Sequence, residues 1–87
     1  MLCAVTVIAP DGRTSTAEVE ARSVNRAVCE YNYLARGGGN HHLIAPEMDT
    51  RFEIEAGGTT YRTTWAKVMA WANLEAQRAL NRAKLRE

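Results

Sequence analysis

The chain has 87 residues, with 11 Lys or Arg against 10 Asp or Glu and a formal charge of +1. A single domain of this size buries only about 60 to 65 % of its unfolded surface, so nearly every regularly spaced apolar side chain is needed for the core and little is left for a deep pocket. The near-neutral balance speaks against a strongly basic nucleic-acid binder and against an acidic disordered tail.

The opening run Met1 to Ala9 lacks a charged start and meets Pro10-Asp11-Gly12, so it reads as a strand and not as a signal peptide. No apolar run is long enough to span a membrane. Leu2 to Ile8 and Thr14 to Ala21 form the first predicted hairpin. Pro10 fixes φ at its turn and Gly12 takes the left-handed position. The loop pairs Ala9 with Arg13, which sets Val7 opposite Ser15, Val5 opposite Ala17 and Cys3 opposite Val19 on one small apolar face. Leu2, Ala4, Thr6 and Ile8 lie on the other face, opposite Glu20, Glu18, Thr16 and Thr14.

Ser23 is a good N-cap for a helix whose stripe is Val24, Ala27, Val28, Tyr31, Leu34 and Ala35. Gly37-Gly38-Gly39 ends it, supplying a left-handed C-cap and a flexible exit. Asn40 to Thr50 is a connecting loop in which Leu43 and Ile44 tuck under the core. A second hairpin, Arg51 to Glu55 with Thr59 to Thr63, closes through Gly57-Gly58. Ile54 then faces Tyr61 and Phe52 faces Thr63 on the buried side, while Glu53 opposes Arg62 on the other.

Thr64 caps the last helix, Trp65 to about Arg86. Its stripe is Trp65, Val68, Met69, Ala72, Ala76, Ala79, Leu80 and Ala83. At 1.5 Å per residue this helix is roughly 33 Å long against strands of roughly 17 to 26 Å, so its last turns overhang the sheet. The helix is also the basic end: Trp65 to Glu87 carries five Lys or Arg and two Glu, whereas Met1 to Thr64 carries six against eight. The expected fold is therefore a small single α+β domain over residues 1–87, in the order ββαββα, with antiparallel hairpins packed on two helices. The expected core includes Val5, Val19, Val28, Tyr31, Leu34, Phe52, Ile54, Val68, Met69 and Leu80. Strand order, and whether the hairpins share a sheet, stay open.

On a helical wheel Trp71, Leu74 and Leu85 fall opposite the buried stripe, beside Lys67, Arg78 and Arg82. A solvent-facing Trp among Leu and cations has the composition of a binding anchor with a polar rim. The plainer reading is that another element covers Trp71, or that Arg78 lies over its ring. His41 and His42 sit near Glu47 and Asp49, but neighbours on an extended chain point to opposite sides, so no metal is expected there. Cys3 and Cys29 show neither ligand spacing nor an activating base, which leaves no catalytic site, no cofactor and no disulfide framework in view. Glu18, Glu20, Glu53 and Glu55 share the wet face of the strands, where solvated carboxylates keep ordinary chemistry.

These features favour a non-catalytic protein-binding module that uses Trp71, Leu74, Arg78, Arg82 and Lys67 as partner-binding residues in a reducing cytoplasm. Small size, the lack of catalytic groups and the exposed aromatic-basic helix face suggest a phage or mobile-element inhibitor of the anti-CRISPR kind acting on a host protein or nucleoprotein complex, and the Arg- and Ala-rich composition of GC-rich coding sequence suggests a bacterial or phage source. The first alternative is a nucleic-acid binder using Lys67, Arg78, Arg82, Lys84 and Arg86 on phosphates. The second is a homodimeric accessory protein that buries Trp71 against its symmetry mate.

Overall fold

A computed structural model of the chain describes residues 1–38 and 42–85. The elements are β1 (Leu2–Ile8), β2 (Thr14–Glu20), α1 (Val24–Gly37), β3 (Arg51–Ala56), β4 (Thr59–Thr64) and α2 (Trp65–Leu85), which is the expected ββαββα order of an α+β domain. All four strands join one antiparallel sheet in the order β2-β1-β3-β4. The two hairpins thus meet through their first strands, a pairing that no local signal encodes.

Turn chemistry sets each register. In the first hairpin the Ala9 N–H donates to Arg13 O at 2.8 Å and Gly12, at φ +90°, donates to Ala9 O. Asp11 fastens the turn by accepting from the Arg13 N–H and from Arg13 Nε, and these bonds hold its carboxyl below the usual carboxylate pKa. In the second hairpin Gly57 and Gly58 take φ +58° and +83°, the conformation a two-residue turn needs when strand twist must match. Ser23 Oγ accepts from the Arg26 N–H and Thr64 Oγ1 accepts from the Lys67 N–H, so both helices begin on the expected caps. The end of α1 differs from expectation. Gly38 has φ −89° and donates to Leu34 O, so the turn closes without a left-handed residue at Gly37 or Gly38; Gly39 lies outside the described residues.

Strand alternation places Cys3, Val5 and Val7 of β1 beside Phe52, Ile54 and Ala56 of β3 on the covered face. Ala27, Val28 and Tyr31 of α1 lie over them, with Trp65 and Val68 at the start of α2. The loop before β3 is bound to this core. Leu43 and Pro46 are buried, Tyr31 Oη donates to Ile44 O at 2.9 Å, and the Ile44 N–H donates to Ser15 Oγ at 3.0 Å. Ser15 Oγ lies 2.6 Å from Tyr31 Oη, and because the phenol proton is committed to Ile44, Ser15 is the donor. Three segments therefore close one ring of hydrogen bonds. Arg36 adds a further tie, donating to Asn32 Oδ1 and to Pro46 O.

Three expected core positions are less covered than their spacing implies. Leu34 and Met69 are half-buried, and Leu80 is 52 % exposed. The correction at Leu80 follows from length: 21 helical residues span about 32 Å, while six-residue strands span about 20 Å. Periodicity fixes which side of a helix faces the core but not how far the core extends. Tyr61, expected on the buried side, is 43 % exposed. β4 ends at Thr64 and α2 begins at Trp65, so no residue is left to reverse the chain and lay the helix back over β4. From Asn73 to Lys84 every α2 residue except Glu75 is exposed. The molecule is accordingly long, 47 × 26 × 23 Å, with a radius of gyration of 14.1 Å. A compact chain of this length would have about 12 Å.

Candidate functional site: the projecting helix

The five anchor residues read from the sequence divide into two groups. Successive residues turn by about 100° around a helix, which brings Lys67, Leu74 and Arg78 within about 40° of one another on the outer face of α2. Lys67, Leu74 and Arg78 are exposed, Leu74 at 50 %. Arg78 donates to Glu75 Oε1 at 3.2 Å, an exposed ion pair that does little beyond orienting the guanidinium.

Trp71 and Arg82 belong elsewhere. Both line a groove between the helices, with Arg26 and Cys29 on the α1 side and Ala72, Glu75, Ala76 and Ala79 on the α2 side. Trp71 is half-buried, and Arg26 lies over its ring with the guanidinium carbon 5.5 Å from the centroid. The expectation of a freely solvent-facing Trp71 is therefore corrected. Its direction lies only about 60° from that of Val68, at the flank of the stripe, where the first turns of α1 reach it. The covering cation is Arg26 and not Arg78. Trp71→Ala should consequently lower stability by about 1 to 2 kcal/mol through lost apolar burial and the cation-π contact. A melting temperature equal to wild type would contradict that placement.

The face of the sheet away from the helices is open and carries rows across the strands: Glu18, Ala4, Glu55 and Thr60 in one, Thr16, Thr6, Glu53 and Arg62 in the next. Thr6 and Thr16 share a hydrogen bond of 2.9 Å, and Arg62 Nε donates to Glu53 Oε1 at 3.3 Å. Glu20 continues the acidic side on β2 and Arg51 lies beside Ile8. The surface is acidic overall, as the strand pattern suggests, and hydrated.

Among the described residues no group of three or more His, Cys, Asp or Glu side chains converges. His42 is exposed; His41 lies outside the described residues. Cys3 and Cys29 are free thiols. Burial pushes the Cys29 thiol up from its usual 9.0, against the lowering influence of Arg26 and with a smaller raising one from Glu30, so it holds its proton at neutral pH. No helix among the described residues is long and apolar enough to cross a membrane.

The stripe that the sequence places on the buried side of α2 is covered only at its start. Met69, Ala72, Ala76, Ala79 and Ala83 follow a 3-4-3-4 spacing, and from Ala76 onward that seam is uncovered, in keeping with the expected overhang of the last turns. Comparison of the chain with protein-family models, with curated proteins and with solved structures finds no match in any of the three.

Proposed function

We propose that this chain is a non-catalytic protein-binding module whose contact element is the projecting half of α2. One observation carries the reading: beyond Ala72 the helix leaves the body of its own domain yet keeps apolar side chains, Leu74 and Leu80, half in water. Extending a helix from turns that are already packed adds only a small free energy per residue, so the solvated extension contributes little to the stability of the domain. Its apolar residues gain free energy only when another surface covers them.

The contact would centre on Leu74, rimmed by Lys67 and Arg78, with Trp71 and Arg82 entering at the groove edge. In its narrowest form the module is a phage or mobile-element inhibitor that occupies a site on a host protein or nucleoprotein complex. A reducing cytoplasm suits the two free thiols. Duplex binding by the basic residues of α2 is the outcome that would replace this reading.

The test is to place a photo-crosslinking residue at Leu74 or at Thr60 of the open sheet, identify the captured protein, and measure its affinity directly. Leu74→Ala with Arg78→Ala should weaken that complex at least about tenfold, near 1.4 kcal/mol, and the loss should persist at high salt because apolar burial is hardly screened. Capture from Thr60 alone refutes the proposal. So does binding only to nucleic acid, with log K falling at roughly −0.9 per neutralised phosphate against log salt.

A further inference from the structure

We infer that two copies of this chain pair through their α2 helices, antiparallel, along the seam Ala72, Ala76, Ala79 and Ala83. The inference differs from the partner reading in its centre: it uses the groove side of α2, shares Arg82 and Leu80 with that reading, and leaves Lys67, Leu74 and Arg78 on the outside.

Three features point to a second copy as the occupant. The first is spacing. An apolar position every three and four residues is the period at which two helices keep one seam in contact, and alanine lets their axes approach to the short end of the usual 8 to 10 Å. The same seam already serves at its N-terminal end, where Trp65 is buried and Met69 and Ala72 are half-buried in the body of the domain; Ala76, Ala79 and Ala83 continue it into solvent. The uncovered part is thus continuous with a packed interface.

The second feature is charge. Setting Ala76 opposite the partner's Ala79, and Ala72 opposite the partner's Ala83, makes four alanine layers that are symmetric by construction. In that register Glu75, which also pairs with Arg78 of its own chain, flanks the partner's Arg82, and Arg82 flanks the partner's Glu75. Each chain supplies both signs, as a closed two-fold contact requires. A parallel pair would set Glu75 opposite the partner's Leu80 and would bring both domain bodies to the same end, so the charges select the antiparallel arrangement.

The third feature is the groove. In this register the partner's last turns run beside Ala72, towards the channel that Arg26 and Cys29 of α1 form with Trp71, Glu75 and Arg82. The partner's Leu80 then covers the strip next to Asn73, removing from water a side chain that is 52 % exposed in the single chain. The buried area is small, so the dimer should be a weak one, with a Kd on the order of 10 to 100 µM.

The experiment is sedimentation equilibrium on the full chain from about 5 to 500 µM, a range that brackets the expected Kd, with circular dichroism to confirm that each variant is folded. Wild type should pass from monomer to dimer. Glu75→Arg sets like charges against the partner's Arg82, and Arg82→Glu does so against the partner's Glu75; each should weaken pairing at least about tenfold. An equimolar mixture of the two variants restores both opposite-charge contacts and should form a heterodimer near wild-type strength. The Leu74→Ala variant should dimerise as wild type does, which separates this pairing from the partner contact. A wild-type chain that stays monomeric throughout, or a mixture that fails to associate where wild type does, overturns the inference.

Discussion

Phe52→Ala should lower the unfolding free energy by about 3 to 5 kcal/mol, the range for deleting a buried aromatic and leaving its cavity. Phe52 is 1 % exposed and sits between two other rings: Tyr31 meets it edge-on, centroids 6.0 Å apart and planes at 82°, and Trp65 is tilted against it at 6.2 Å. It also lies opposite Val7 at the centre of the sheet. One side chain therefore joins α1, α2 and the strands of both hairpins, and no neighbour can move into its space without abandoning another contact. A domain of this length has a total stability of about 4 to 13 kcal/mol, so the variant should be largely unfolded if the protein lies near the lower end. Urea titration followed by tryptophan fluorescence measures the loss. Phe52→Leu, which keeps most of the volume, should retain most of the stability; equal losses for Leu and Ala would mean that the three rings do not act as a packed unit.

Tyr31→Phe should cost about 2 to 3 kcal/mol, because it keeps the ring and removes the hydroxyl on which two partners depend. Ile44 O would lose its donor and Ser15 its acceptor at a part-buried site beside the fully buried Tyr31 ring. The same hydroxyl gives stability a pH dependence. Burial pushes the Tyr31 phenol above its usual 10.0, outweighing the lowering effect of its bonds to Ser15 and Ile44. Above about pH 10 the unfolded chain releases this proton while the native chain holds it, so stability should fall as pH rises through that window and be unaffected by this group below it. The Phe variant should lack this part of the alkaline decline. Chemical denaturation from pH 8 to 11.5, compared between the two proteins, reads the difference; parallel curves would remove Tyr31 from the account.

Much of this fold is legible in the sequence because its information is local. Pro10 with Gly12, and Gly57 with Gly58, each specify a turn through backbone angles that few residues adopt, and the hairpin registers follow by counting. Ser23 and Thr64 specify helix starts in the same way. The pairing of β1 with β3 was not legible, since nothing in Val5 or Ile54 names the other. Exposure on α2 was misjudged for a related reason. A wheel gives direction, so Leu74, Arg78 and Lys67 were placed correctly on the outer face, but it carries no information about the element that meets Trp71 or about where the cover over Leu80 stops. Both depend on where α1 and the sheet end in space. The ring formed by Ser15, Tyr31 and Ile44 likewise joins residues from three segments and has no signature in any one of them.

The central pairing of β1 with β3 also governs how fast the molecule can form. Each hairpin is a local event of about 1 to 10 µs, but neither has a complete hydrophobic partner until the other arrives. Val5 and Ile54 must meet across the whole of β2, α1 and the following loop, and that closure entropy is spent before the central contacts return anything. The barrier to folding therefore lies at the junction of the two halves. Substitutions at Val5, Ile54 and Phe52 should slow folding, while those in the exposed turns of α2 from Ala76 to Lys84 should leave the folding rate nearly unchanged.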